Sequence, residues 1–579
     1  PTPLSLAVVP RLEGHPELSR PPAYIMIVAG AMRLFGATDH VVALTSMLIF
    51  LLCLGATYLL ALRLFDHATA IISMFALVSM PSCLRAAFSG TDATLLMLLA
   101  TMLFLVMALW RTGRAEALRG ASSPEEETEA ASDAAEDDSP TPPEDIAVSP
   151  AEIEMPPTDG DAAGPPVDAI VNADQVPMST ADATQVEIPF DLPIQFPDEV
   201  EEDDAMAHMR GGGDKWALLA AAGAGLIAGL ACLTRFQAIA LFIVAVVFVT
   251  LHLRRRAVWP ILVTVLVFAA TLAPWLAREA MITGRGIATF HRCDLVSHTD
   301  LHPGASIHLT FAAPGMHPLR EAMLHPLAVG RKLIPGLVDY YEQMPAAFNT
   351  YLFAFFIVGC VLAVARRRHA LLQTMVVLAL GLVALTTSFY GWSNSVIMSL
   401  VPVVTVFASG WLAQAATEFV DAFCPFARDG SVPPLLIEVW SNQWRRVVLL
   451  LATLFITFPI WPFLLMYTPA YDTPITTLAE KLTERPERTF VTDIPSALAW
   501  HADKIAIPLP QDPEQLDRME RAGIRMDALY LSPGALRVPP TETMLPWLRW
   551  LAPGDRGPAP PLIAIEEKSL PGQMWRFPE

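Results

Sequence analysis

An arginine followed by two prolines and a tyrosine stands just before the first long apolar stretch, in the order Arg20-Pro21-Pro22-Ala23-Tyr24. A guanidinium matches the geometry of a phosphate group and binds it through paired N–H donors. Arg20, with Tyr24 beside it, is therefore a candidate for holding a phosphate at a membrane surface. The alternative is an interfacial cation whose alkyl stem lies in lipid while its charged head reaches water.

A second polar cluster, residues 84–92, lies between two apolar runs. Asp92 is a candidate for lining the same site, but it also directly precedes an apolar run, where aspartate commonly caps a helix. The capping role is the favoured interpretation, and the two roles are compatible. Arg85 is expected either to pair with Asp92 or to approach a phosphate, because an arginine at a membrane-facing helix end needs a partner.

Two later stretches carry further candidates: the histidine-rich residues 285–308 and the segment SFYGWSN, residues 388–394. His291, Tyr390 and Asn394 are predicted to line the same site. Imidazole and carboxylate groups suit a divalent ion, but the spacing fits no closed metal motif. No cofactor is therefore assigned, and a divalent metal ion at His291 is retained as the alternative.

Membrane-spanning helices must position these residues. Of the 579 residues 53% are hydrophobic and 17% charged, and the mean hydropathy of +0.44 is too high for an ordinary soluble domain. A spanning helix needs roughly 20 mostly apolar residues. Ten such spans are predicted, at 41–63, 69–88, 92–110, 216–234, 237–253, 257–276, 347–365, 370–390, 395–415 and 446–467.

The orientation follows from arginines in the short loops, which favour the cytoplasm. Those near positions 63, 111–119, 254–256, 366–368 and 445–446 all fall on one side when the spans alternate. Both chain ends and all four candidate clusters then lie outside. Residues 21–36 are apolar but short, which indicates an interfacial helix.

Residues 120–209 contain 25 Asp plus Glu and no Lys or Arg. Such a segment buries too little apolar surface to offset its ordering entropy, so it is predicted to be disordered. Without these 25 charges the formal net charge changes from −20 to +5. The acidity therefore belongs to this insertion, which is interpreted as a tolerated cytoplasmic loop rather than an interaction tail, and no nucleic-acid partner is expected.

The predicted fold class is an all-α polytopic membrane protein with about ten transmembrane helices and a small C-terminal extracytoplasmic α/β domain. The predicted order is as follows: the end of an external loop with an interfacial helix (1–40), transmembrane helices (41–111), the acidic insertion (112–214), transmembrane helices (215–277), an external loop (278–345), transmembrane helices (346–467) and the external α/β tail (468–579).

The run from Ser19 to Phe65 resembles the start of the membrane domain of the C-type (GT-C) glycosyltransferases that use polyprenyl-phosphate sugars, and the likeness covers most of the membrane portion. These include the protein O-mannosyltransferase-like enzymes and the lipid A aminoarabinose transferases. Their order of Lys/Arg-Pro-Pro-Leu-Tyr, Leu-Phe-Gly and Arg-Leu-Phe is matched by Arg20–Tyr24, Leu34–Gly36 and Arg63–Phe65. Residues 273–286, APWLAREAMITGRG, are similar to the family's Pro-Trp-X-X-Arg-Asn…Thr-Gly stretch.

The resemblance implies a bacterial inner-membrane enzyme that takes a sugar from a polyprenyl-phosphate donor and delivers it, on the periplasmic side, to a lipid, glycan or protein acceptor. It places Arg20 at the family's phosphate-binding position and puts the catalytic Asp or Glu ahead of Pro1. Some members hold a metal near the position of His291, but Ser19 replaces their acidic residue before the basic one. A transporter or flippase of lipid-linked substrates and a non-catalytic scaffold of the same fold are the alternatives.

Overall fold

The computed structural model describes residues 2–13, 15–16, 20–121, 213–284, 289–300, 302, 306–311, 318–363, 370–390, 394–423, 434–458, 481–533, 535–536, 544–551, 563–565 and 572–577. The chain divides into two units, residues 1–113 with 213–579, and residues 114–212. The acidic insertion predicted at 112–214 falls almost wholly outside the described residues.

The first unit is mainly helical. Its helices before the C-terminal domain are α1 (Pro3–Val8), α2 (Ala23–Phe35), α3 (Asp39–Leu64), α4 (His67–Val78), α5 (Pro81–Phe88), α6 (Ala93–Ala121), α7 (Gly213–Cys232), α8 (Ile239–Leu253), α9 (Val258–Thr283), α10 (Thr289–Val296), α11 (Pro318–Leu324), α12 (Pro326–Arg331), α13 (Leu333–Phe348), α14 (Thr350–Ala363), α15 (Ala370–Tyr390), α16 (Asn394–Met398), α17 (Val401–Phe423) and α18 (Pro434–Thr457). The last part of α6 extends into the second unit.

Seven helices among the described residues are long and apolar enough to cross a membrane, and two bent helix pairs raise the number to nine. The seven are Asp39–Leu64, Ala93–Arg111, Lys215–Cys232, Phe236–Leu253, Val258–Thr283, Ala370–Tyr390 and Asn394–Val420. The prediction of a polytopic helical membrane protein is thereby confirmed, with seven to nine spans where the sequence predicts ten. The tenth predicted span, 446–467, begins in α18 and continues beyond the described residues.

The bent pairs are not evident from hydropathy. α4 and α5 meet at 66°, because Met80 has an extended backbone before Pro81 and the helix restarts at that proline. Pro326–Pro345 and Thr350–Val361 meet at 109°, and Asn349 between them has a φ of 61°. Each predicted span at these places, 69–88 and 347–365, is therefore a broken or re-entrant element.

The core of the bundle lies between α3, α4, α6, α8, α15 and α17. It contains the fully buried side chains of Phe104, Phe248 and Phe407. α7 and α9 run parallel and touch at two glycines. A Cβ on Gly225 would lie 2.4 Å from the carbonyl oxygen of Thr264, so only glycine permits this approach of the two backbones.

The C-terminal domain has a five-stranded sheet in the order β2-β1-β3-β5-β4. β1, β2 and β3 are parallel, whereas β5 pairs antiparallel with β3 and β4. The elements are β1 (Thr489–Thr492), α19 (Pro495–His501), β2 (Ile505–Pro508), α20 (Glu514–Arg521), β3 (Ala528–Leu531), α21 (Leu545–Leu551), β4 (Ile563–Ile565) and β5 (Gln573–Arg576). The predicted α/β tail is confirmed, and β5 is an additional strand.

This domain lies at the end of the bundle where α3 begins. The indole Nε1 of Trp500 donates a hydrogen bond to Asp39, the first residue of α3. The backbone N–H of Gln511 donates to the Leu309 carbonyl over 3.0 Å, and that of Phe311 to Oε1 of Gln515 over 2.6 Å. The segment before α11 is thus tied to the sheet domain.

Candidate active site at the end of the helix bundle

Asp92 and Arg235 form an ion pair at the same end of the bundle. Nε of Arg235 donates to Oδ2 of Asp92, and Nη2 lies 3.5 Å from Oδ1. The hydroxyl of Ser395 donates to Oδ1 over 2.7 Å. The two charged side chains are 32% and 15% exposed, Arg235 being the more open, so the pair lies at the border between the packed helices and water.

Each partner stands where an apolar helix begins or ends. Asp92 directly precedes α6, Arg235 lies in the turn that leaves α7, and Ser395 is the second residue of α16. Asp92 is at the predicted capping position, but its two oxygens go to Arg235 and Ser395 instead of the N–H groups of α6. The predicted side-chain cap is therefore wrong, because a guanidinium two helices away competes for the same carboxylate.

Tyr24 lies next to this pair. Its hydroxyl shares a hydrogen bond of 2.6 Å with Ser46 of α3. Burial raises the pKa of Tyr24, the bond to Ser46 lowers it, and the nearby charge of Asp92 raises it further. The backbone N–H of Ala23 donates to the carbonyl of Leu233 over 2.8 Å, which joins the start of α2 to the turn that holds Arg235.

Tyr390 lies on the other side of that turn. Its ring meets the ring of Phe236 edge-on, with centroids 5.8 Å apart, and Phe236 directly follows Arg235. Asp294 lies close enough to Tyr390 to interact with it electrostatically, and α10 packs against α15. Tyr390, at the end of α15, therefore lies between the turn that holds Arg235 and α10 of the loop after α9.

The loop carries a second polar cluster. Nε2 of His308 lies 2.7 Å from Oδ1 of Asp294. The ammonium of Lys332 donates to the carbonyls of Asp294 and Leu295 over 2.8 Å each, and to that of Ser297 over 3.1 Å. These contacts satisfy the carbonyl groups at the C-terminal end of α10.

His298 belongs to the same cluster and has a left-handed backbone, with φ of 57°. Burial lowers the pKa of its imidazole, and the positive charge of Lys332 lowers it further, against the opposing effect of Asp294. His298 is therefore biased toward its neutral form. Among the described residues, Asp294, Lys332, His298 and His308 thus lie close together in this cluster.

The predicted site residues are distributed unevenly. Tyr24, Asp92 and Tyr390 surround the Arg235 turn, and Asn394 directly precedes Ser395 at the start of α16. Arg20 is exposed, three residues before the backbone bond that joins α2 to the turn.

Arg85 and His291 are the two remaining predicted site residues. Nε of Arg85 lies 3.4 Å from the carbonyl of Pro81 in its own helix, and its predicted pairing with Asp92 is wrong, because Arg235 takes that place. The side chain of His291 lies outside the described residues. Within the described ranges, no group of three or more His, Cys, Asp or Glu side chains is placed to hold a metal ion.

Arg235, Ser395 and Glu279 escape prediction from sequence. Arginines in short loops favour the cytoplasm, but Arg235 lies in a short turn on the predicted external side. This exception could have marked Arg235 as a candidate site residue. Glu279 is completely buried near the end of α9, and neither carboxylate oxygen has a hydrogen-bond partner among the described residues. The sequence prediction ends the span at 276 and assigns Glu279 to the external loop 278–345, whereas the helix continues to Thr283.

Residues 19–122 match the model of the dolichyl-phosphate-mannose-protein mannosyltransferase family. This segment contains Arg20, Tyr24, Arg85 and Asp92, so the resemblance to polyprenyl-phosphate-dependent glycosyltransferases is confirmed for it. No curated protein matches the sequence.

Among solved structures, the chain is similar to ArnT from Cupriavidus metallidurans in the apo state, with 12% identity and a TM-score of 0.49, over 99% of this chain and 91% of that one. The structure of ArnT from the same organism bound to undecaprenyl phosphate has 11% identity and a TM-score of 0.46, over 99% of this chain and 92% of that one. The chain is also similar to the archaeal oligosaccharyltransferase AglB from Archaeoglobus fulgidus in complex with an inhibitory peptide and a dolichol-phosphate. The identity is 11% and the TM-score 0.47, over 90% of this chain. The present chain spans 62% of the AglB chain.

Proposed function

We propose that this chain is an integral-membrane glycosyltransferase that moves a sugar from a polyprenyl-phosphate donor to a lipid, glycan or protein acceptor. The observation that carries the proposal is the family match over residues 19–122. The matched segment contains α2, α3, the bent pair α4–α5 and Asp92, the ion-pair partner of Arg235. In this proposal the membrane is the bacterial inner membrane, and the site faces the periplasm.

The charges of the site suit a lipid phosphate. Asp92 accepts hydrogen bonds from Nε and Nη2 of Arg235. Because a guanidinium carries five N–H donors, Nη1 can donate to a phosphate oxygen. The backbone bond from Ala23 to Leu233 brings the Arg20 segment to the same turn. Two guanidinium groups at one helix-end junction favour binding of a dianionic leaving group, which develops as the sugar–phosphate bond breaks.

The proposal is tested with purified protein in vesicles that contain a panel of polyprenyl-phosphate sugars labelled in the sugar. We expect transfer to an acceptor extract from one donor, and we expect Arg20→Ala to reduce that transfer by at least tenfold. Arg33→Ala is the matched control, because Arg33 is an exposed arginine in the last turn of α2, the helix that begins three residues after Arg20. Absence of transfer from every donor, or equal transfer by Arg20→Ala, would contradict the proposal.

The bent helix pairs α4–α5 and α13–α14 favour transport of a lipid-linked substrate as a second candidate function, because broken helices near a polar site are typical of transporters. The same vesicles separate the two functions. A flippase moves labelled lipid between leaflets and leaves the sugar–phosphate bond intact, whereas a transferase releases polyprenyl phosphate.

A further inference from the structure

Helix α13 packs against α15, which is long and apolar enough to cross a membrane. A Cβ on Gly336 would lie 2.8 Å from the Cα of Ser388, near the C-terminal end of α15. The hydroxyl of Tyr340 donates to the carbonyl of Leu380 over 3.3 Å, and Leu380 is the middle residue of the 21 in α15. α13 therefore runs from the end of α15 that carries Tyr390 toward the centre of the same helix.

These contacts fix the depth of α13. A helix of 21 residues is about 31 Å long, roughly the thickness of the hydrocarbon core, so the middle residue of a spanning α15 lies near the bilayer centre. The end of α13 contacts a second apolar element, because the hydroxyl of Ser82 in the bent pair α4–α5 donates to the carbonyl of Ala347 over 3.3 Å. The leaflet that borders Tyr390 is named here the site-side leaflet, and α13 lies at the depth of its acyl chains.

The surface of α13 divides into three faces, because residues three and four apart share a face of a helix. The packed face carries Tyr340 and Phe348, which are buried. The second face, the apolar strip, holds large side chains that are between 43% and 78% exposed: Ile334, Leu337, Val338 and Tyr341. The third face, the acidic strip, is exposed and polar: Asp339, Glu342 and Gln343.

Each exposed face calls for a different solvent at this depth. Large apolar side chains that no other element covers are solvated by acyl chains. Carboxylates within a membrane face the bundle interior or a water-filled space, because exposure to hydrocarbon is costly. The charges of the acidic strip also explain why hydropathy assigns this helix to an external loop.

We propose that α13 is the site-side half of a broken span, with its apolar strip against the acyl chains of the site-side leaflet and its acidic strip along a water-filled recess. α14, which follows the bend at Asn349, is the other half. The proposal moves α13 from the predicted external loop 278–345 into the membrane, and it does not depend on the proposed function. It places a boundary between lipid and water beside Ser388, two residues from Tyr390. A lipid-borne and a water-borne molecule can then both approach the candidate active site along α13.

The test uses the full chain in lipid nanodiscs, with single cysteines introduced one at a time and labelled with the small fluorophore bimane. Leu337→Cys and Val338→Cys report on the apolar strip, and Glu342→Cys and Gln343→Cys report on the acidic strip. The wild type, carried through the same labelling, gives the background from its native cysteines. The fluorescence of each labelled protein is quenched by nitroxide-bearing lipids and, separately, by iodide in the buffer.

We expect nitroxide lipids to quench the apolar strip about threefold more strongly than the acidic strip, and iodide to do the reverse, because the two faces meet different solvents. Leu385→Cys, at an exposed position of α15, is the lipid reference, and Glu520→Cys, at an exposed position of α20 in the sheet domain, is the water reference. Iodide quenching of the apolar strip equal to that of Glu520→Cys would overturn the proposal, because it would place α13 in water. Quenching of this strip by neither agent would also overturn it, since a protein surface would then cover the strip.

A matched pair of charge substitutions gives a second measurement that needs no label. Val338→Asp should lower the amount of folded protein recovered from membranes several-fold, because its carboxylate would face hydrocarbon. Gln343→Asp adds the same charge to the acidic strip and should leave the yield unchanged. Equal yields of the two variants would contradict the assignment of the apolar strip to lipid.

Discussion

Nε of Arg235 donates to Oδ2 of Asp92, which lies 143 residues earlier in the chain. The bond joins the turn after α7 to the start of α6 and, through Ser395, to the start of α16. Three segments that are distant in sequence thus meet at one carboxylate. We expect this carboxylate to matter for both stability and transfer.

Replacing Asp92 by alanine leaves a partly buried guanidinium unpaired. We expect the free energy of unfolding to fall by about 1–3 kcal/mol, less than for a fully buried pair because Arg235 is a third exposed. Thermal unfolding in detergent and the transfer assay are the measurements. Asp66→Ala is the control: this carboxylate caps α4 by accepting from Thr69, so its loss should lower stability by about 1 kcal/mol and leave transfer unchanged.

A charge exchange, Asp92→Arg with Arg235→Asp, separates the two roles of the pair. The exchanged pair should recover part of the lost stability but not the transfer activity, because the phosphate would face a carboxylate where the guanidinium stood. Recovery of both would show that the pair is only structural.

The close approach of α7 and α9 depends on glycine. Gly225→Ala places a Cβ 2.4 Å from the Thr264 carbonyl oxygen, and the helices must move apart. We expect a loss of about 1–3 kcal/mol in stability, read as a lower unfolding temperature in detergent. Gly223→Ala is the matched control, since no atom lies within 4 Å of the added Cβ. A similar effect of both substitutions would contradict the packing argument.

The buried carboxylate of Glu279 is costly, because neither oxygen has a partner among the described residues. Glu279→Leu should therefore raise the free energy of unfolding by about 1–4 kcal/mol, as replacement of buried charges by apolar groups often does. Chemical denaturation at neutral pH measures this change in the free energy of unfolding. As the control, Thr264→Val removes a buried hydroxyl that is hydrogen-bonded to Ala221 and Pro260, and it should instead destabilise the protein. Destabilisation by Glu279→Leu would indicate a partner in the folded protein.

His298 should make stability depend on pH. Its pKa in the folded protein lies below the ordinary value of 6.5, so the unfolded chain binds more protons between the two values. Stability is retained above pH 6.5 and is lost as the pH falls below that value toward the folded pKa. His298→Asn, which also suits the left-handed backbone, should reduce this acid sensitivity. Unfolding temperatures of both proteins from pH 5 to 8 provide the comparison, and parallel curves would refute the assignment.

Much of the architecture follows from local sequence properties. Apolar runs of sufficient length specify helices that cross a membrane, and those of α3, α6 and α15 lie within a few residues of the predicted bounds. Short alternating or buried runs flanked by turn residues specify β1, β2 and β3. The Arg20–Tyr24 motif and the polar ends of the spans also predict the end of the bundle at which the candidate residues Tyr24, Asp92 and Tyr390 lie.

The pairing of residues within the site is decided by tertiary structure alone. Sequence suggests Arg85 as the partner of Asp92, since it is seven residues away, yet Arg235 takes that place. Which arginine reaches a carboxylate depends on the rotation and height of each helix, and these are set by contacts such as that between Gly225 and Thr264. In the same way, hydropathy is a property of single segments and predicts the helices, whereas the Asp294–His308 pair depends on packing between segments and appears only in the fold.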